Sequence, residues 1–301
     1  MTFPIDILPA VSDALEAGHA VVALESSVLA QGLPIPHNRS ALDRMSAAVK
    51  RAHALPAVTG VVGGVPTVGL TPAQLERFLR ADGIRKVSAR DVAVAAAARA
   101  DGATTVAATL MLARLAGVDV FATGGIGGVH HDAPFDESAD LMELSRTPMV
   151  VVCAGPKSIL DTAATAERLE SYGVPVVGYG TLELPGFFSA GTGIPLTARA
   201  DSAHEIAAIF RAHRSLDRQQ ALLVVQPPPD AFALPRDQVD EAVAAARREA
   251  AAAGITGAAV TPWLLSAVAR LTGGRSIEAN LALLEQNALL AGEIAAALCN
   301  A

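Results

Sequence analysis

Only three of the 23 basic side chains in this 301-residue chain are lysines, Lys50, Lys86 and Lys157. Lys157 stands in "VVVCAGPKSILD", directly after an apolar, strand-like run. Arginine serves almost every other need for positive charge, so a lysine here points to what arginine cannot do. A neutral amine can attack an electrophilic carbon and form a Schiff base. A strand-to-helix turn, with a helix N-terminus and low-dielectric surroundings, would favour that neutral form. Glu25 ends another apolar run, "VVALESS". A carboxyl that loses hydration there favours its protonated form, which suits a general acid. Lys86, in "IRKVSARD", suits a phosphate or another anionic group.

The stretch "TGGIGGVHHDAPFDESADL" brings Thr123, His130, His131, Asp132, Asp136, Glu137 and Asp140 together. Its glycines resemble a dinucleotide fingerprint, but that motif follows a first strand and opens a helix. Here the first strand leads to "ESS", and the glycines lead to histidines and carboxylates, which argues against a nicotinamide site. Clustered aspartates without cysteine suit a hard divalent cation such as manganese or magnesium. If the segment is helical, Asp136 and Asp140 share a face. "GATTVAAT" places hydroxyls and backbone amides at a helix start, a fitting phosphate cradle.

The elements that must position these groups follow from patterning. Short β-branched runs ("HAVVALESS", "VDVFATGG", "PMVVVCAG", "VPVVGYG", "ALLVVQP") alternate with alanine- and leucine-rich segments. Nearly continuous apolar strands indicate a sheet covered on both faces, and alternation with helices indicates parallel pairing. A helix is expected over 40–55, a strand or hairpin at "AVTGVVGGVPTVGL", and a capped helix start at Thr71, Pro72 and Gln74. Helices over 236–252, 262–272 and 276–297 would cover one face. The expected fold is α/β: a single three-layer α/β/α domain over 1–301 with a mostly parallel central sheet, its ligands bound beyond the carboxyl ends of the strands.

Composition excludes other classes. A net charge of -7 and 4% aromatic content argue against a nucleic-acid surface. Two cysteines, Cys153 and Cys299, are too few for a disulfide framework. The opening "MTFPIDILPAVSDAL" shows no basic region followed by an apolar one, and Arg99, Asp101 and Arg114 interrupt the long alanine-rich stretch, so neither a signal peptide nor a membrane span is expected. The chain reads as cytoplasmic.

Taken together, "VVALESSVLAQGLPIPHN", "KVSARDV", "GATTVAAT", "VFATGGIGGVHHDAPFDESADL", "CAGPKSILD", "YGVPVVGYGT" and "TPWLLSAVARLTGGRSIEANLALLEQNA" resemble the pseudouridine-5′-phosphate glycosidase family, which includes the indigoidine-pathway A proteins. The resemblance implies a manganese-dependent homotrimer that splits the C–C glycosidic bond of pseudouridine 5′-phosphate into uracil and ribose 5-phosphate, reversibly. It implies Lys157 as nucleophile, Glu25 as proton donor and Asp136 as metal ligand. Lys86, Val106, Ser138, Ala139 and Asp140 would contact substrate, with His130 and Asn280 added to them. Three departures bear on substrate preference: Gln31 where the family has histidine, Pro156 before the nucleophile, and Ala89 in place of an arginine. The alternatives are a Schiff-base lyase or aldolase on another sugar phosphate, and a non-catalytic sugar-phosphate sensor.

Overall fold

The computed structural model describes residues 5–131 and 135–300. Its strands are β1 (Asp6–Ile7), β2 (Val21–Leu24), β3 (Leu55–Val62), β4 (Val65–Val68), β5 (Arg85–Val87), β6 (Gly102–Thr104), β7 (Val120–Ala122), β8 (Val150–Cys153), β9 (Val176–Tyr179), β10 (Arg199–Ala200) and β11 (Leu222–Val225). They form one sheet in the order β1-β4-β3-β2-β7-β8-β11-β9-β10, with β6 pairing β3 and β5. Pairing is parallel except at β3–β4 and β3–β6. The glycine- and proline-rich stretch after residue 56 thus forms an antiparallel hairpin, with Gly63 and Gly64 at its tip in left-handed conformations.

The central strands are buried on both faces, as their unbroken apolar runs require. Val22, Leu24, Val120, Val152 and Val224 face a layer that includes His37–Arg51, Ala203–Ser215, Arg236–Ala252 and the last helix, Arg275–Cys299. Val21, Ala23, Phe121, Val151 and Leu223 face the opposite layer, which includes Pro9–Glu16, Val106–Leu115 and Ala139–Leu144. The fold is therefore α/β, with a mostly parallel sheet between helical layers. The three C-terminal helices fall where expected, at Arg236–Ala252, Val260–Leu271 and Arg275–Cys299. The expected capping box is present: Gln74 N donates to Thr71 Oγ1, and Thr71 N donates to Gln74 Oε1.

Arg275–Cys299 is long and apolar enough to cross a membrane, but two-thirds of its apolar window (67%) is buried inside the fold. It packs against His37–Arg51 and the sheet, the setting of a core helix.

Register decides where chemistry can occur. Leu24 pairs Ala122, Ala122 pairs Val152, and Val152 pairs Val224. The next residues, Glu25 and Thr123, therefore leave adjacent strands at one level. After Leu24 the chain enters a short π-helical turn, Val28–Gly32. Buried Asn38 fixes that turn by donating from Nδ2 to both Leu29 O and Leu79 O, each at 2.8 Å. Asn38→Ala leaves two buried carbonyls without donors, and we expect a loss of roughly 2–4 kcal/mol of unfolding free energy in urea. A loss below about 0.5 kcal/mol, the scale of a neutral surface change, would show that the turn does not depend on this bridge.

Candidate active site

A cavity of about 430 Å³ opens at the carboxyl ends of the central strands. The ten residues assigned a catalytic, substrate or metal role from the sequence and its resemblance all line it: Glu25, Lys86, Val106, His130, Asp136, Ser138, Ala139, Asp140, Lys157 and Asn280. They come from six separate stretches of chain, and the sheet brings them together.

Glu25 is only 6% exposed. Thr123 Oγ1 donates to its Oε1 at 2.5 Å, and Ser27 Oγ donates to Oε2. Ser26 faces away from the cavity, where its Oγ accepts from Thr104 N at 2.9 Å and joins the buried hydroxyls of Thr59, Thr104 and Thr109. The "ESS" tripeptide therefore anchors the carboxyl on one side and ties its strand end to β6 on the other. Thr123 and Ser27 as carboxyl anchors were not legible as such in the sequence, although a hydroxyl next to a strand-end carboxylate is a usable signal.

Lys157 does not occupy a helix N-terminus. Pro156 makes a parallel bridge to Ile126, Lys157 N donates to Ile126 O at 3.0 Å, and the next helix begins only at Thr162, capped by Asp161. A turn braced against the glycine-rich segment holds the lysine, so a helix dipole does not act on it. Among the described residues neither Lys157 nor Lys86 has an ion-pair partner. The Lys86 ammonium lies below its ordinary 10.5 because burial strips its hydration and Lys157 repels it, with Asp140 and Glu25 opposing. Cys153, beneath this turn, is fully buried, and burial pushes its thiol up to about 12, so it stays protonated and inert.

The glycines of "TGGIGG" serve close packing. A Cβ on Gly127 would lie 2.8 Å from Asp140 Oδ2 and collide with Ser138, and one on Gly125 would meet Gly155 O at 2.8 Å. Asp140, 5% exposed, accepts from Gly127 N at 2.8 Å and from Ala107 N at 3.0 Å. It thereby clamps the glycine turn to the first turn of Val106–Leu115. Thr105 caps that helix, and its Oγ1 is buried without a partner on the cavity wall.

Asp136 and Asp140 do not share a helix face, because the helix starts at Ala139 with Ser138 as its cap. Asp136 precedes it in an extended turn, where its carbonyl accepts from His130 N at 2.9 Å. Its side chain is exposed on the cavity wall. Among the described residues no three His, Cys, Asp or Glu side chains converge as a metal cage. Asp132 lies outside the described residues. This donor set fits a hard cation that keeps most of its waters and takes one protein carboxylate. Glu137 is committed elsewhere, to Arg168 at 2.8 Å.

Of the departures, Gln31 donates from Nε2 to Ile84 O at 3.1 Å and lines the cavity, and Ala89 sits in a short 3₁₀ turn whose neighbour Arg90 reaches the cavity. Thr261, Pro262 and Leu265 of Val260–Leu271 complete the wall, a contribution hidden in an ordinary amphipathic pattern.

The model of the indigoidine synthase A-like proteins matches residues 10–297. The chain belongs to the indigoidine synthase A-like family. A pseudouridine-5′-phosphate glycosidase of Gemmatimonas aurantiaca is 64% identical over 288 residues, 96% of this chain and 94% of the relative. One of Herpetosiphon aurantiacus is 51% identical and covers 97% of each chain. Among solved structures, the prealnumycin C-glycosynthase AlnA in complex with ribulose 5-phosphate superposes with a TM-score of 0.91 at 39% identity, covering 98% of this chain and 97% of its own. An indigoidine synthase A-like protein of Thermotoga maritima gives 0.90 at 35% identity, covering 98% and 96%. This family member is thus related along nearly its whole length to enzymes.

Two outcomes follow from the geometry. Gly127→Ala should displace Ser138 and Asp140 and cut turnover at least about tenfold with the fold retained by circular dichroism, since small misplacements in a site are costly. Near-normal turnover would mean that the clamp is not needed. Ribose 5-phosphate affinity, measured by calorimetry between about pH 7 and 10, should fall as Lys86 loses its proton, at lower pH than an ordinary lysine would. Lys86→Arg keeps its charge and should flatten that fall. An unchanged profile in Lys86→Arg would assign the titration to another group.

Proposed function

We propose that this protein is a C-glycosidase that converts pseudouridine 5′-phosphate and water into uracil and ribose 5-phosphate. The observation that carries the reading is the gathering of a buried carboxyl, Glu25, and two unpaired lysines, Lys86 and Lys157, in one cavity beside a helix start. The curated relatives named for this reaction support it.

Protonating a leaving heteroatom does not loosen a C–C glycosidic bond, so the sugar must be opened first. Glu25 gives its proton to the ribose ring oxygen, and the bond from that oxygen to C1′ breaks with its electron pair on oxygen. The base loses a ring N–H proton and conjugates with C1′. The neutral amine of Lys157 adds its lone pair to C1′ as the C1′–base double bond gives its pair back to the ring; the ring nitrogen regains a proton and the added nitrogen loses one. A proton then enters at the base carbon, the C–C bond breaks with its pair on that carbon, and the nitrogen lone pair closes a C=N bond. Water adds to this imine and releases ribose 5-phosphate and free Lys157. The covalent route divides one difficult cleavage into easier steps. Lys86, Thr105, the Val106 amide and Ser138 hold the phosphate, and Asn280 and His130 bound the rest of the cavity. Remote phosphate binding keeps the opened sugar aligned.

Asp136 would hold a manganese or magnesium ion, which supplies positive charge near the substrate when bound. Run in reverse, the same steps join a base carbon to ribose 5-phosphate with loss of water. The homology with a C-glycosynthase supports this reversibility. The homotrimer rests on the family resemblance, the single domain over 1–301 on the alternation of strands and helices, and the cytoplasmic location on composition.

The test is borohydride trapping with ribose 5-phosphate and manganese, together with uracil release from pseudouridine 5′-phosphate. A reduced pentose-phosphate adduct on Lys157, absent in Lys157→Arg, and a loss of uracil release of at least about 10²-fold in Glu25→Gln are expected, the usual scale for a missing general acid. Uracil release without any lysine adduct would refute the imine. An adduct confined to Lys86 would move the nucleophile.

A further inference from the structure

The C-terminal helix carries polar side chains into the seam between helix and sheet where an apolar contact would pack as well. Asn287, 1% exposed, sits among buried Leu283, Leu284, Ala288, Leu290 and Ala291. Its Nδ2 donates to Thr123 O at 2.8 Å and points also towards Gly124 O at 3.4 Å. Its Oδ1 accepts from Gln226 Nε2 at 3.0 Å, and Gln226, 3% exposed at the end of β11, accepts at Oε1 from Gln286 Nε2 at 3.1 Å. Each amide fixes the orientation of the next. Thr123, whose peptide Asn287 holds, is the residue whose hydroxyl donates to Glu25 Oε1.

We infer that Asn287, oriented by Gln226, is a positioning residue that fixes the Thr123 turn and, through the Thr123 hydroxyl, the carboxyl of Glu25. The inference rests on the proposed role of Glu25 as proton donor. Burying a carboxamide costs desolvation free energy, and Asn287 offsets it with partners on both its oxygen and its nitrogen. Leucine at 287 would avoid that cost but leave the Thr123 carbonyl without its donor, while the Gly124 carbonyl would keep Ala154 N at 2.9 Å. Thr123 follows a strand of only three residues, and Gly124 and Gly125 come next. Backbone contacts to β8 and the turn after it hold Thr123 N and the Gly124 carbonyl, and the pin from the helix adds the one group they leave open, the Thr123 carbonyl.

The experiment is a double-mutant cycle on uracil release, with Asn287→Ala, Thr123→Val and the pair, and with Gln226→Met as a variant that removes the orienting amide without much volume change. Asn287→Ala should lower kcat about 10- to 100-fold with KM changed less than about threefold, as expected of a misplaced group rather than a lost binding contact. Gln226→Met should move in the same direction. Adding Asn287→Ala to Thr123→Val should cost less than about threefold more, because the pathway to Glu25 is already cut. Trapping of ribose 5-phosphate on Lys157 should survive in every variant, since this hemiacetal opens to its aldehyde in water without the enzyme, whereas the C-glycoside ring does not. Multiplicative losses in the double variant, or parallel loss of kcat, trapping and thermal stability, would reduce Asn287 to a structural residue and overturn the inference. A wild-type protein that traps ribose 5-phosphate yet releases no uracil would remove the assigned role of Glu25, and the inference would fall with it.

Discussion

A carboxyl group buried at the end of a β-strand must find hydrogen-bond donors, and the site is organised around how Glu25 finds them. Both oxygens are engaged by hydroxyls, one from its own turn and one from the neighbouring strand end. The second donor is available only because β2 and β7 pair in parallel with Leu24 opposite Ala122. A shift of one residue would turn the Thr123 side chain to the opposite face of the sheet. The strand that carries Glu25 also packs Val22 and Leu24 into one core layer and Val21 and Ala23 into the other. Core packing and site geometry are thus one constraint.

The glycine-rich turn after β7 extends that constraint to the nucleophile. The turn runs close against its surroundings, and the peptide groups it exposes are used. Gly127 N goes to Asp140, the Ile126 carbonyl accepts from Lys157 N, and Ile126 bridges Pro156. Lys157 is consequently placed by backbone contacts to the strand next door. The same turn reaches the helix that begins at Val106 through the Asp140 carboxylate. Acid, amine and phosphate cradle are connected by hydrogen bonds a few residues long, which suits chemistry in which an opened sugar must stay in register with both reacting groups.

Much of this was legible in the sequence because strand ends are legible. Apolar runs closing on glycine, proline or a charged residue marked β2, β7, β8, β9 and β11, and residues that follow three of them, β2, β7 and β8, meet in the cavity. The failures were local. The segment after Pro156 looks like a helix start by residue type, but Pro156 and Lys157 are braced against Ile126 and the chain makes an isolated turn, Leu160 N donating to Lys157 O at 3.0 Å, before the helix begins at Thr162. Asp136 and Asp140 have helical spacing, yet Ser138 starts the helix between them. Spacing cannot report such boundaries, which depend on contacts far away in the chain. Nor could the pattern distinguish Asn287 from a solvent-facing amide on a long helix, since its partners, Thr123 and Gln226, are separated from it by 164 and 61 positions.

The scarcity of lysine takes on a physical meaning in this setting. Lys86 and Lys157 are close enough to repel, and burial adds to the cost of charge on Lys86, so its ammonium is held less firmly than a surface lysine would be. Arginine could not respond in this way, because its guanidinium stays charged under the same pressure. Glu25 and Asp140 pull in the other direction, which limits how far the Lys86 proton is loosened. An anionic substrate phosphate would tip the balance at Lys86 towards the ammonium, while an amine facing an electron-poor carbon must be neutral to add. One pair of lysines can meet both demands only if they face different parts of the substrate. The layout fits that division: Lys86 lies within the edge strand β5, on the cavity wall with Val106, and Lys157 comes after the central strand β8, braced against the glycine turn.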